Sequence, residues 1–593
     1  MLETRNAKPQ TVGLLLAGGM CVLPFLLPYN QLFEGEWLAA ALGVAAAFAA
    51  LMGGRVSAVA LPTPARWLVA FALFLGVQAV FVHPTYLQVP VIAIVFVLYA
   101  ALMIWLGRQL AAASGLERVV EVLATCLLIG ALANAASGVI QFYGIPDPLK
   151  DFIAEMPYGF GAYGNIGQPN LYANYLAIGG TALLFLWLRG SVRTNFAIGA
   201  AVLLAVAFAL SGSRTSLLYA LWYVIFGLLA HRLQPGIAGQ RLRIATFAFG
   251  AIVLAAHALV PWINSTPGLD NLAKGAIERA LPTMLGDTEP RWQIWLLAWR
   301  LFADAPLLGA GIGEFAGTVF RYGLPPSLTH FGNQVWTSPH NLPLQLLAET
   351  GILGTFLALA GLFTWSWQIG RRYFSKAQPA IGWIIAAVGV ELIHSMFEYP
   401  LWSAHFLGVT ALLIGLGAKP SVGSHATSGT TWAAAAGTCA ILALTLTMLL
   451  RDYVRLYATR VTGTTITLAS AANAARDAAV MRDLTHGLLG PVAEYWIVGG
   501  APLNQDGLAE RLAMSGRIAH HYPTNAILVR RVVFLALDGQ AIEARKLLAQ
   551  TLYTFPKRCD ETIRILVTAL TANRRAIEPL LELTKEAGGS NCT

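Results

Sequence analysis

The chain has 593 residues, of which 56% are hydrophobic and only 12% charged. A soluble chain carries about twice that charged fraction, so a water-soluble fold is excluded for most of the sequence. The net charge of +9 fits the positive bias of membrane-protein loops, and with no stacking platform or nucleic-acid module beside it, no nucleic-acid partner is expected.

Apolar runs recur at roughly 12–28, 37–53, 67–82, 88–106, 119–142, 170–188, 195–210, 215–230, 244–262, 342–369, 380–397, 401–417 and 432–450. Each is long enough, or nearly so, to cross about 30 Å of hydrocarbon as a helix. A helix satisfies its own backbone in lipid, and these runs lack the alternation of a β-barrel strand. The predicted fold is all-α, a polytopic membrane domain of about thirteen spans over residues 1–450 and a helical unit over 451–593. The first run follows Arg5 and Lys8 and ends without a small-x-small cleavage site, so it is expected to stay as an anchor.

With the N-terminus inside, Arg108 and Arg118, Arg189 and Arg193, Arg241 and Arg243, and Arg371 and Arg372 all fall in internal loops. External loops hold acids instead, such as Glu34 and Glu36, or Asp147 and Asp151. An odd number of spans leaves the tail outside. Two external segments are long, 143–169 and 263–341, and long irregular segments in compact proteins usually carry function. Within the second, Arg291 to Arg300 has amphipathic helical spacing, with tryptophans suited to headgroup depth. In the tail, Asn525 to Leu537, a break at Asp538-Gly539, and Ile542 to Tyr553 form a hairpin like a tetratricopeptide repeat, with a second pair at 561–587. Cys21, Cys126 and Cys439 lie in apolar runs; Cys559 and Cys592 lie in the tail, where an external compartment permits a disulfide between them.

Polar residues at membrane depth are costly and mark function. Four clusters all fall on the external side. Arg214, in Ser211-Gly212-Ser213-Arg214-Thr215-Ser216, reads either as a snorkelling interfacial cation or as a fork of donors for phosphate. Arg291 begins the amphipathic helix, where a helix N-terminus and a guanidinium together suit an anion. His340 and Asn341 stand at the mouth of the tenth span, with Gln345 and Glu349 one to two turns further in. Imidazole accepts a proton near neutral pH, although a lone histidine is more often structural. His394 and Glu398 sit at the turn between the eleventh and twelfth spans, and a polar turn network accounts for them as readily as a site. Gly309-Ala310-Gly311-Ile312-Gly313 lacks dinucleotide-loop spacing and reads as a tight turn.

Ser213-Arg214, Arg291, Pro339-His340-Asn341 and Glu349-Thr350-Gly351 together resemble the O-antigen ligase and polymerase superfamily. Gly164-Asn165-Ile166-Gly167-Gln168-Pro169-Asn170-Leu171-Tyr172-Ala173-Asn174, Glu398-Tyr399-Pro400-Leu401-Trp402 and the long tail resemble its bacterial protein O-oligosaccharyltransferase branch. The resemblance covers about residues 130–415. It implies a GT-C-type glycosyltransferase of the bacterial inner membrane, with its active site and helical tail periplasmic. The donor would be an undecaprenyl-diphosphate-linked oligosaccharide and the acceptor a Ser or Thr hydroxyl of a pilin-like protein, without cofactor or catalytic metal. Arg214 and Arg291 would hold the diphosphate, and His340 would activate the acceptor. Gln168, Asn170, Asn174, Asn341, Glu349, His394 and Glu398 are expected to bind substrate or support these groups. The same motifs fit a lipid A-core ligase or an O-antigen polymerase. A lipid-linked-sugar transporter would instead place charges through the midplane and show inverted repeats.

Overall fold

A computed structural model describes residues 2–28, 33–53, 59–157, 161–233, 236–264, 290–329, 335–375, 378–419, 425–464 and 471–588. Among them every regular element is helical. Eleven helices are long and apolar enough to cross a membrane, from Pro9–Leu26 to Gly429–Thr459. Two shorter apolar helices, Pro379–His394 and Ala404–Gly417, fall where the eleventh and twelfth spans were expected. The chain is a multi-pass helical membrane protein with a helical C-terminal region. Most of segment 263–341 before Pro290, together with Cys592, lies outside the described residues.

Two compact units divide the chain. The first comprises residues 1–71, 96–288 and 357–446. Small residues let its helices approach closely, the usual device where no hydrophobic effect separates helix from lipid. A Cβ on Gly107 would meet Leu412 O at 2.2 Å, and one on Gly415 would meet Ile104 O at 2.1 Å. The external segment after Tyr143 is pinned by buried amides. Gln141 donates to Ala154 O and Gly164 O at 2.7 and 2.9 Å and accepts from Tyr163 N at 2.9 Å. Asn165 donates to Leu26 O and Phe152 O, both at 2.8 Å. The fixed segment delivers Gln168 to the start of helix Pro169–Leu188, where its Oε1 caps Leu171 N at 2.6 Å and Pro169 fits the first turn.

The second unit comprises 72–95, 289–356 and 447–593. Its C-terminal helices pair as Gly490–Gly500 with Leu508–His521, Asn525–Leu537 with Ala541–Thr554, and Cys559–Ala569 with Arg574–Gly588. The last two pairs are the hairpins read from the sequence, and Gly539 makes the break at φ 82°. The amphipathic segment forms helix Pro290–Asp304. Its Ile294, Leu297, Ala298 and Leu301 join one core with Phe315, Val319, Val498, Met514, Ile518, Phe534 and Phe555. Trp292, Leu296 and Trp299 stand on the opposite face, 58%, 40% and 53% exposed. Cys559 is disulfide-bonded, while Cys21, Cys126 and Cys439 are free.

Candidate active site

In the first unit, helix Thr194–Ser211 ends on Gly212 at φ 58°, and helix Thr215–Leu233 begins three residues later. The connection, Gly212-Ser213-Arg214, presents Arg214 at the turn. Ser213 Oγ donates to Asn170 Oδ1 at 2.7 Å, and Asn170 Nδ2 donates to Glu398 Oε1 at 2.7 Å. One turn further along, Asn174 Nδ2 donates to Glu391 Oε1 at 2.9 Å, with both residues fully or almost fully buried. His394 Nδ1 lies 2.5 Å from the Tyr219 hydroxyl. Gln168, Asn170, Asn174, Arg214, His394 and Glu398 thus share this unit. Asn170 and Asn174 each donate to a protein carboxylate, which gives the two amides supporting positions. Gln168 uses its carbonyl as a helix cap.

In the second unit, His340 precedes the long helix Leu342–Ser375. Its backbone has φ 53°, outside the usual region for a non-glycine residue and typical of functional positions under strain. The ring's Nδ1 lies 3.1 Å from Ser338 O, and the backbone N–H of His340 donates to Ser338 Oγ at 3.0 Å. A carbonyl partner makes Nδ1 the protonated nitrogen and leaves the lone pair on Nε2. Trp336 packs edge-on at 5.0 Å. Trp295 Nε1 donates to Pro339 O at 2.9 Å, tying the Arg291 helix to the histidine turn. Burial, together with the positive charge of Arg291, pushes the imidazole down to about 4. Asn341 caps the helix by accepting from Leu344 N at 3.1 Å.

The glycine run is a tight turn, as its composition suggests, but it also has a partner invisible in sequence. Gly309, Gly311 and Gly313 all have positive φ. Ala310 N and Gly311 N donate to Ala348 O and Glu349 O at 2.9 Å each. The Glu349 carboxylate accepts from the Gly313 and Phe315 amides and from Gln345. Its cost at that depth is offset by a strap of backbone donors rather than by a cation. The strap closes where the long helix breaks at Gly351, φ 62° and ψ −169°. Sequence reasoning singled out neither the strap nor Tyr219, and it named Ser213 and Thr215 only as part of the Arg214 cluster, with no role of their own. A tyrosine or serine in an apolar helix gives no signal until its partner is known.

Comparison with known proteins bears on both groups of residues. A family model described as O-antigen ligase matches residues 199–359, which include Arg214, Arg291, His340 and Glu349. Over these residues the chain is similar to the O-antigen ligase family. A second model, described as virulence factor membrane-bound polymerase, C-terminal, matches residues 383–567, which include Glu391, His394 and Glu398. A General O-oligosaccharyltransferase of Acinetobacter baylyi (strain ATCC 33305 / BD413 / ADP1) is 26% identical over 265 residues, 44% of this chain and 44% of that protein. The aligned part is therefore less than half of that relative.

Proposed function

We propose that this chain is a glycosyltransferase of the bacterial inner membrane, of the O-antigen ligase kind. It moves an oligosaccharide from undecaprenyl diphosphate onto Ser or Thr hydroxyls of a periplasmic, pilin-like protein. The observation that carries the reading is His340, held neutral by burial and by Arg291 and presenting Nε2 as its basic nitrogen. A hydroxyl is a weak nucleophile and gains from such a base. The acceptor oxygen bonds to the anomeric carbon and its proton passes to His340. The bond from that carbon to the diphosphate oxygen breaks, and the lipid diphosphate leaves with the electron pair. Arg214 and Arg291 take the role of stabilising that charge. Residues 451–593 then form a periplasmic helical region, and the relative's name supports transfer of an oligosaccharide to an oxygen.

The test is transfer in vitro with purified protein, lipid-linked oligosaccharide and a pilin-like acceptor, read by mass analysis. Glycan on Ser or Thr is expected, surviving excess EDTA because guanidinium groups neutralise the leaving group. Arg214→Ala and His340→Ala are each expected to cut kcat by about a hundredfold or more. Glycan on lipid A-core, or polymerised glycan on the carrier, would reassign the acceptor.

A further inference from the structure

Within the first unit, the start of helix Thr63–Val82 and the helices Gln88–Ser114 and His425–Thr464 leave a crevice of about 270 Å³ between them. Leu98, Leu102 and Trp105 line one wall, and Ala434, Ala435 and Thr438 line the other. Thr438 donates its hydroxyl to Ala434 O at 2.9 Å, within its own helix, so that wall is apolar too. The helix bearing it is fixed against helix Phe33–Leu51: Trp432 Nε1 donates to Leu51 O at 3.1 Å, and Trp37 Nε1 donates to Leu446 O at 2.9 Å. Ala434 is exposed and Ala435 buried, so the crevice opens along the lipid-facing side of a span. An apolar cavity of about 150 Å³ already stays dry and takes a benzene-sized guest. Hydrocarbon, not water, suits this larger one.

One end of the crevice is cationic. Leu61 borders it there, and the Leu61 carbonyl accepts from Arg66 Nε at 2.8 Å. That bond holds the guanidinium at the rim, and among the described residues its Nη groups have no partner. Trp105 Nε1 donates to Val59 O at 3.2 Å and Gln109 Oε1 accepts from Val59 N at 2.9 Å, closing the same end. Arg108, one turn beyond Trp105, has a buried Nε without a hydrogen-bond partner, and Arg372 stands near enough to repel it. Buried charges are costly unless an opposite charge answers them. The arginines of this end are those that the loop charge pattern puts on the cytoplasmic side. Helix Leu116–Tyr143 runs from here to the end that carries Arg214, and its 28 residues span about 40 Å.

We propose that the crevice binds an anionic diacyl phospholipid of the inner leaflet, with one acyl chain between Trp105 and Ala434 and the phosphate on the Nη groups of Arg66. A guanidinium fork matches phosphate oxygens, and basic sites between spans on the cytoplasmic side suit acidic headgroups. The positive charge of Arg108 and Arg372 at the same end favours a lipid with net negative charge over a zwitterionic one. On the glycan-transfer reading, the donor's diphosphate belongs at the Arg214 end, so this lipid is not the donor.

The test uses delipidated full-length protein in detergent and phosphatidylglycerol with a photoactivatable diazirine near the end of one acyl chain. Cross-links mapped by mass spectrometry are expected in segments 98–105 and 430–438. Ala434→Phe, which fills the opening, should remove them. Arg66→Gln should raise the apparent Kd for phosphatidylglycerol about tenfold, and Arg66→Lys should recover part of the loss. Leu228→Phe, on a span outside the crevice and 44% exposed, should change neither. Phosphatidylethanolamine with the same chain should label these segments several-fold less. Labelling spread over the whole lipid-facing surface, or unchanged in both Ala434→Phe and Arg66→Gln, overturns the proposal. Equal labelling by phosphatidylethanolamine overturns the anionic headgroup. Stronger labelling by diazirine-bearing undecaprenyl phosphate gives the crevice to the carrier lipid instead. None of these readings needs glycan transfer, so the outcome is independent of the proposed activity.

Discussion

A histidine that takes a proton from a hydroxyl has to be neutral before the reaction begins. His340 meets that condition because two causes act in the same direction: burial disfavours the imidazolium, and Arg291 repels it, setting the group at about 4. The lowered value means the base form dominates above about pH 5, so transfer should be flat from pH 6 to 8 and fall as pH drops through 4. Removing the repulsion raises the value towards 6.5. Arg291→Gln should therefore shift the acid limb of its residual activity upward, whereas Arg291→Lys should keep the limb near wild type while weakening transfer through loss of the guanidinium fork. The pH profile of both variants is the measurement. Arg214, Arg291 and His340 were legible as candidates because a charge or imidazole at the end of an apolar run is conspicuous. The local partners of His340 were not, because Trp295 and Ser338 are unremarkable until the chain brings the indole to Pro339 O and the Ser338 carbonyl to the imidazole.

At the scale of elements, the long helix after His340 breaks at Gly351. The break is held by close packing on both sides. A Cβ on Gly351 would lie 2.4 Å from the Leu307 carbonyl, and one on Gly309 would lie 2.4 Å from the carbonyl carbon of Glu349. Gly351 also occupies a region of φ and ψ open only to glycine. Gly351→Ala should cost about 1–3 kcal/mol for the backbone alone, with overlap added. It should lower the melting temperature in detergent and loosen Glu349 from its amide donors, so that transfer falls more than donor binding. Gly370, towards the far end of the same helix and with the nearest neighbour of an added Cβ at 3.7 Å, is the control: Gly370→Ala should be neutral. The apolar period gave away the position of this helix, and Glu349-Thr350-Gly351 stood out within it. The break itself was not legible, since a single glycine in a spanning helix is common and only the strap at 305–315 forces it to bend.

At the scale of the molecule, the tail reads in sequence as a unit of its own, because its composition turns polar after residue 450 and its hairpins carry repeat-like spacing. The hydrophobic contacts of the second unit tell what those hairpins support. Phe534 and Phe555 from the tail are buried with Ile294, Leu297 and Leu301 of the Arg291 helix and with Phe315 and Val319. Gln550 Nε2 donates to Phe320 O at 2.8 Å, and Val335 N donates to Pro523 O at 3.4 Å. The inner face of the Arg291 helix has no other described core of this size, while its outer face already exposes Trp292, Leu296 and Trp299. Truncation after Pro523 should therefore strip that inner face and abolish transfer, even with an acceptor too small to need a docking surface. A single large-to-small change, Phe534→Ala, should cost about 3–5 kcal/mol and render the 290–329 segment sensitive to protease, whereas Ile542→Ala, on a side chain 82% exposed, should change neither. If the truncated protein still transferred glycan at the wild-type rate, the tail would be an acceptor-docking module alone. The expected loss would instead show that the hairpins hold the Arg291 helix, and with it His340, in register.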